Sequence, residues 1–130
     1  MSGILFGVSV GAGDPELMTL GAVRAIERCR IIAVPRTKGE SSLALSIAEQ
    51  AVDMSGKEIL YFDFPMTRDR NEWKQSHINA ADIICERLAN NEDTAMLCLG
   101  DISVYSTFSY VADIAKQRGY ACEWKAGVTS

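Results

Sequence analysis

Five short apolar runs, set between longer stretches that are apolar along one side only, limit this 130-residue chain more than any other feature. The runs are "ILFGVSV" (4–10), "RIIAVP" (30–35), "EILYFDF" (58–64), "TAMLCLG" (94–100) and "YACEWKA" (120–126). Each is short, β-branched or aromatic, and bounded by turn residues, which predicts five strands. A strand that is apolar at successive positions is covered on both faces, and that is the condition of a parallel sheet.

The intervening stretches have helical spacing. "PELMTLGAVRAIERC" carries Leu17, Leu20, Val23, Ala25 and Ile26, and "SSLALSIAEQAV" carries Leu43, Ile47 and Val52. "NEWKQSHINAADIICERLANN" aligns His77, Ala81, Ile84 and Leu88 on one stripe. "STFSYVADIAKQRG" ends at Gly119 with Lys116 and Arg118 in its last turn, a C-terminal signature. Strict alternation of strand and helix gives the expected fold class: α/β, a five-stranded mostly parallel sheet with helices on both faces. The length suits one compact domain.

Charge and cysteine usage narrow the function. The net charge of −4 comes with no acidic block or basic stripe, so nucleic acid is not expected as a partner. No uncharged run approaches the roughly 18 residues of a membrane span, and the N-terminus lacks the positive region of a signal peptide, which leads to the expectation of a cytoplasmic protein without membrane contact. Cys29, Cys85, Cys98 and Cys122 have no C-x-x-C spacing and aliphatic neighbours, as buried structural thiols would. With His77 the single histidine, no metal site is expected.

In parallel sheets ligands bind beyond the carboxyl ends of the strands. That rule selects Gly11–Glu16, Gly100–Ser106 and Gly127–Ser130. In "VGAGDPEL" the dinucleotide register G-x-G-x-x-G fails, because Glu16 stands where the third glycine belongs. Asp14 and Pro15 suit the cap and first position of a helix, and the two carboxylates Asp14 and Glu16 would repel a polyphosphate. Two readings stay open: a tight capped turn, or a turn that also admits a ligand without phosphates close to the backbone. In "LGDISVYSTFSY", Gly100 allows close approach, Asp101 accepts hydrogen bonds from ribose hydroxyls or an amino group, and the hydroxyls that follow suit the cap of a helix starting near Ser106. The alternative is that Asp101 and Ser106 only turn and cap.

The segments "GVSVGAGDPELMTL", "FPMTRDRNEWKQ", "LGDISVYSTFSY" and "AGVTS" together resemble the tetrapyrrole (corrin/porphyrin) methyltransferase family over essentially the whole chain. The opening motif marks the family broadly. "FPMTRD" and the "VYSTFSY" stretch resemble those members that methylate C-20 of precorrin-2 or cobalt-factor II on the way to cobalamin. Ala12 and Ala126 stand where prolines are frequent in the family, and so does Ile102 after the Gly-Asp pair.

The resemblance implies an S-adenosylmethionine-dependent enzyme of two α/β domains, with the cofactor in the cleft between them and a homodimer as the assembly. Residues 1–130 would form the N-terminal domain, with the C-terminal domain absent from the chain. Carried over by motif, the cofactor contacts fall on Ala12, on Gly100, Asp101 and Val104 with Tyr105 and Ser106 beside them, and on Thr129 and Ser130. For a tetrapyrrole substrate with many carboxylates and a wide apolar face, Arg68, Arg70 and Trp73 are the expected contacts, with Lys74 nearby. The competing reading is a solvated loop and a helix anchored by Trp73. His77 reads more as a helix-face residue than as a base.

Methyl transfer from a sulfonium to a ring carbon disperses charge, so proximity and a dry cleft matter more than a strong acid. That is consistent with a site of glycines, backbone and hydroxyls. Among these residues Tyr105 is the candidate for removing the proton from the methylated carbon, with solvent or a residue of the second domain as the alternatives. Two other readings remain: a different methylase of the same fold, such as a uroporphyrinogen or diphthine enzyme, and a non-catalytic domain that binds an adenosine-containing ligand.

Overall fold

The computed structural model describes residues 3–9, 20–36, 43–63, 69–98 and 102–125. Strands and helices alternate throughout: β1 (Ile4–Ser9), α1 (Leu20–Arg28), β2 (Ile31–Arg36), α2 (Leu43–Ala51), β3 (Glu58–Asp63), α3 (Arg70–Ala89), β4 (Thr94–Cys98), α4 (Ile102–Gln117) and β5 (Ala121–Lys125). All five strands are parallel, in the order β3-β2-β4-β1-β5.

This order dictates where the helices go. From β1 through β3 the chain steps toward one edge of the sheet, and from β3 through β5 it steps back. Crossovers of one hand that run in opposite directions must lie on opposite faces. Accordingly α1 and α2 bury Ala22, Ala25, Ile26, Leu45 and Ala48 against Phe6, Val8, Ile32, Val34 and Leu97. On the other face α3 and α4 bury Ala81, Ile84, Leu88, Phe108 and Val111 against Leu5, Ala33, Phe62 and Met96. Each fully buried side chain of the size of Leu5, Ile32, Ile84 or Leu97 contributes about 1.5–3 kcal/mol of transfer free energy.

The stripe read along α3 is the one that faces the sheet: His77, Ala81, Ile84 and Leu88 are all fully buried. Along α1 one expectation fails. Leu20 is 70% exposed, because the helix presents Ala22, Ala25 and Ile26 to the sheet, a face about 200° around the axis from Leu20. Small alanines let the helix approach closely, and that contact outweighs the burial of one leucine at the helix start.

A second correction concerns α4, which begins at Ile102, a full turn before Ser106. Ser106 therefore lies within the helix and does not cap it. No glycine or proline interrupts the sequence between Ile102 and Arg118. The hydroxylated residues disfavour a helix only by tenths of a kcal/mol each, roughly, so docking on the sheet extends it.

The helix ends follow local rules. Gly119 adopts φ +94°, Tyr120 N–H donates to the Ala115 carbonyl and Gly119 N–H to Lys116, closing α4 in a Schellman motif. Asn91, at φ 66°, closes α3 in the same way, with Glu92 N–H on Arg87 and Asn91 N–H on Leu88. At the amino ends of the strands, Asp93 Oδ1 accepts from Ile4 N–H at 2.8 Å and its Oδ2 from Arg28 Nε at 2.9 Å. Lys57 Nζ donates to the last carbonyls around α1, those of Glu27 (2.9 Å) and Cys29 (2.6 Å). Arg87 pairs with Glu58 at 2.6 Å.

Candidate functional site

The sheet has its topological switch around β4. The helix after β4 covers one face, whereas the helices after its neighbours β1 and β2 cover the other. The chain leaving β1 and the chain leaving β4 are thus bound for helices on opposite faces, the arrangement of strands at whose carboxyl ends parallel sheets bind ligands. The register brings these ends level: Ser9 lies opposite Cys98, and Val8 opposite both Leu97 and Lys125. The three segments singled out in the sequence, 11–16, 100–106 and 127–130, therefore follow three adjacent strands that end at one height.

Ala12, Arg68, Gly100, Asp101, Thr129 and Ser130 lie outside the described residues. Val104, Tyr105 and Ser106 are in the first two turns of α4, with side chains outside the described set. Arg70 is the first residue of α3 and is exposed. Its helix is capped by Asp69, whose carboxylate accepts from Asn71 N–H at 2.9 Å and Glu72 N–H at 3.4 Å. Lys74, one turn on, is also exposed, so the start of α3 carries two accessible cations beside the half-buried Trp73.

Trp73 belongs to a cluster of rings that the sequence reading did not identify as one. Its centroid lies 4.0 Å from that of His77 and 4.8 Å from that of Tyr110, the latter edge-on. His77 and Tyr110 are 5.3 Å apart, also edge-on. The spacing of four between Trp73 and His77 could have signalled a shared helix face. Tyr110 comes from α4 and is, in the sequence, one of several hydroxylated residues of "LGDISVYSTFSY". His77 is buried, and its Nδ1 donates to the Trp73 carbonyl at 2.7 Å, an acceptor shared with Ser76 Oγ. Burial holds the imidazole below its ordinary pKa of 6.5, partly offset by that hydrogen bond, and so favours the neutral ring. This environment supports the helix-face reading of His77.

The thiolate form of the described thiols is disfavoured by the same logic. Burial, with the Asp93 carboxylate, pushes Cys29 up to about 12, and burial also raises Cys85 and Cys122. Among the described residues no group of three or more His, Cys, Asp or Glu side chains is placed to hold a metal ion. No described helix is long and apolar enough to cross a membrane.

At Gly7 the backbone of β1 is tightly covered. Phe108 of α4 lies over Gly7 of β1, and its ring centroid is 5.5 Å from that of Trp124 on β5. Trp124 is opposite Gly7 in register and 39% exposed.

Comparison with known proteins adds to this geometry. A family model described as Tetrapyrrole (Corrin/Porphyrin) Methylases matches residues 5–130. A Methanocaldococcus jannaschii protein named "Probable cobalt-precorrin-2 C(20)-methyltransferase" is 37% identical over 127 residues, 97% of this chain and 53% of that protein. The cobalt-precorrin-2 C(20)-methyltransferase of Salmonella typhimurium is 32% identical over 136 residues, 100% of this chain and 54% of that one. The chain thus spans about half the length of these curated relatives. Among solved structures, a cobalt precorrin-4 methyltransferase superposes with a TM-score of 0.69 at 17% identity, over 97% of this chain and 46% of that one, which bears on the fold alone.

Proposed function

The chain belongs to the tetrapyrrole (corrin/porphyrin) methylase family, and from that membership we propose that the protein containing it transfers a methyl group from S-adenosylmethionine to C-20 of a precorrin-2-type ring in cobalamin synthesis. The similarity to two C-20 enzymes across nearly the whole chain carries the reading. In this proposal residues 1–130 form the N-terminal domain and one wall of a cleft, a C-terminal domain forms the other, and the enzyme works as a cytoplasmic homodimer.

The fit to the cofactor is judged at the strand ends. Segments rich in glycine and short polar residues follow three level, adjacent strands, and the acids of the first one suit a cationic ligand better than a phosphate. When bound, S-adenosylmethionine supplies an electrophilic methyl group on a sulfonium. Gly100 leaves room for the ligand against the backbone, while Asp101 accepts from ribose or amino donors. Ala12, Val104, Tyr105, Ser106, Thr129 and Ser130 complete the pocket and exclude water. Tyr105 is the chain's own candidate to take the proton from the methylated carbon. Arg68 and Arg70 engage the substrate's carboxylates, and the Trp73 ring faces its macrocycle.

Incubating the full-length protein with S-adenosylmethionine and either precorrin-2 or cobalt-factor II tests the proposal. Mass spectrometry is expected to show one added methyl, and NMR to locate it at C-20. Methylation at another ring carbon, or only of a different class of acceptor, would sink it.

A further inference from the structure

A glycine inside a strand weakens it unless something must come close to the backbone. At Gly7 something does. A Cβ at this position would lie 2.5 Å from Cε2 and Cζ of Phe108 and 2.7 Å from its Cδ2. Carbon atoms in contact sit about 3.5–4.0 Å apart, so any side chain at position 7 demands a retreat of about 1 Å.

The ring has little room to make that retreat by itself. Phe108 is 5% exposed and sits in a cluster with Leu5, Met96, Val111 and Ala112. Trp124 flanks it on the β5 side. A close-packed surround passes the displacement on to the helix that carries the ring. That helix is α4, which starts directly after Gly100 and Asp101 and holds Val104, Tyr105 and Ser106 in its first two turns. Phe108 lies about 9 Å along the axis from Ile102, within two turns of the helix start. The contact between Gly7 and Phe108 therefore sets the distance of the start of α4 from β1.

We propose that Gly7 is a positioning residue for the cofactor site: by admitting Phe108 against β1, it fixes the spacing between β1 and the start of α4, and with it the affinity for S-adenosylmethionine. The inference rests on the cofactor reading given above. Gly7 touches neither ligand in this view and acts only through α4.

Calorimetric titration of the full-length protein with S-adenosylmethionine, beside a thermal melt, tests it on four proteins. Gly7→Ala is expected to weaken binding roughly 10-fold, the loss that follows when one hydrogen bond to the cofactor is drawn out of reach. Phe108→Trp presses on the same contact from the other side and is expected to act likewise, so the test stands even if Gly7→Ala folds poorly. The double variant Gly7→Ala/Phe108→Leu, which removes the two closest ring atoms, Cε2 and Cζ, is expected to regain most of the lost affinity. A purely structural role would lower the melting temperature of Gly7→Ala and leave the Kd unchanged, and that result overturns the proposal. So does a double variant that recovers stability without affinity. If the wild type itself binds no S-adenosylmethionine, the cofactor reading falls and this proposal falls with it; wild-type binding that Gly7→Ala and Phe108→Trp both retain defeats the positioning role alone.

Discussion

The two ends of the sheet use polar residues in opposite ways. At the amino end, side chains are consumed by the fold: Asp93 joins Ile4 of β1 to Arg28 of α1, Lys57 closes α1, and Arg87 reaches Glu58. At the carboxyl end, three level strand ends are followed in the sequence by segments that contain glycines, the acids Asp14, Glu16 and Asp101, and hydroxyls. The first end is built of long side chains that find partners within the chain. The second is, in the proposed function, where glycines and polar side chains meet a ligand instead of one another. Substitutions at the two ends should therefore separate stability from binding.

The largest separation is expected from Gly100 and Asp101. In the full-length protein, Asp101→Ala should weaken S-adenosylmethionine binding by about 1.5–3 kcal/mol, the range for hydrogen bonds to a charged group, with little loss of tetrapyrrole affinity. Gly100→Val should weaken it more, by filling the space where ligand meets backbone. If calorimetry finds both at wild-type affinity while both melt much lower, the carboxyl end is as structural as the amino end and the contrast collapses.

Asp93→Ala should do the reverse. It strands the Ile4 N–H and removes the Arg28 pair, so chemical denaturation should show a loss of about 1–3 kcal/mol with unchanged cofactor affinity. Gly119→Ala is a milder probe of the same kind. No atom lies within 4 Å of the added Cβ, so only the left-handed backbone is penalised, by about 1–2 kcal/mol, again without effect on binding. Asp69→Ala, which removes the cap of α3, should cost about 1 kcal/mol of stability.

The smallest expected effect is a pH dependence. His77 has its folded pKa below the ordinary 6.5, so below that pH the unfolded chain binds more protons than the folded one. Its contribution to stability is present above pH 6.5 and is lost as the pH falls from there through the depressed folded value. Urea titrations at several pH values should show this acid limb flattened in His77→Phe. An unchanged limb would mean that carboxylates alone carry the acid sensitivity.

Much of the scaffold was legible because period and punctuation agreed. The α3 stripe from His77 to Leu88, the Gly119 terminus and the parallel strands all follow from local rules that packing did not override. What escaped depends on neighbours remote in sequence. Leu20 lost its place because two alanines let α1 approach the sheet closely, and the start of α4 was set by docking rather than by the serine that resembled a cap. Of the predicted site, Arg70 and Trp73 fall together at the start of α3, whereas the joining of Trp73 to Tyr110 required knowing that α3 and α4 share a face. Gly7 was invisible for the same reason: a glycine in a strand has meaning only once the ring above it is known.

One consequence of the strand order concerns the time course of folding. Of the five described strands β1 is synthesised first, yet among the described residues its partners are β4 and β5. Ile4 and Asp93, joined by a hydrogen bond, lie 89 residues apart, whereas Lys57 reaches Cys29 across 28. The longer closure costs only about 1 kcal/mol more in chain entropy, but it cannot begin until β4 exists. The unit of β2 and β3 is thus free to form early, while β1 waits with both edges open and its pairing with β4 forms late. A chain ending at Glu92 should accordingly exchange the amide protons of Leu5–Val8 rapidly. Protection of those amides in the shortened chain would show that β1 finds an earlier partner.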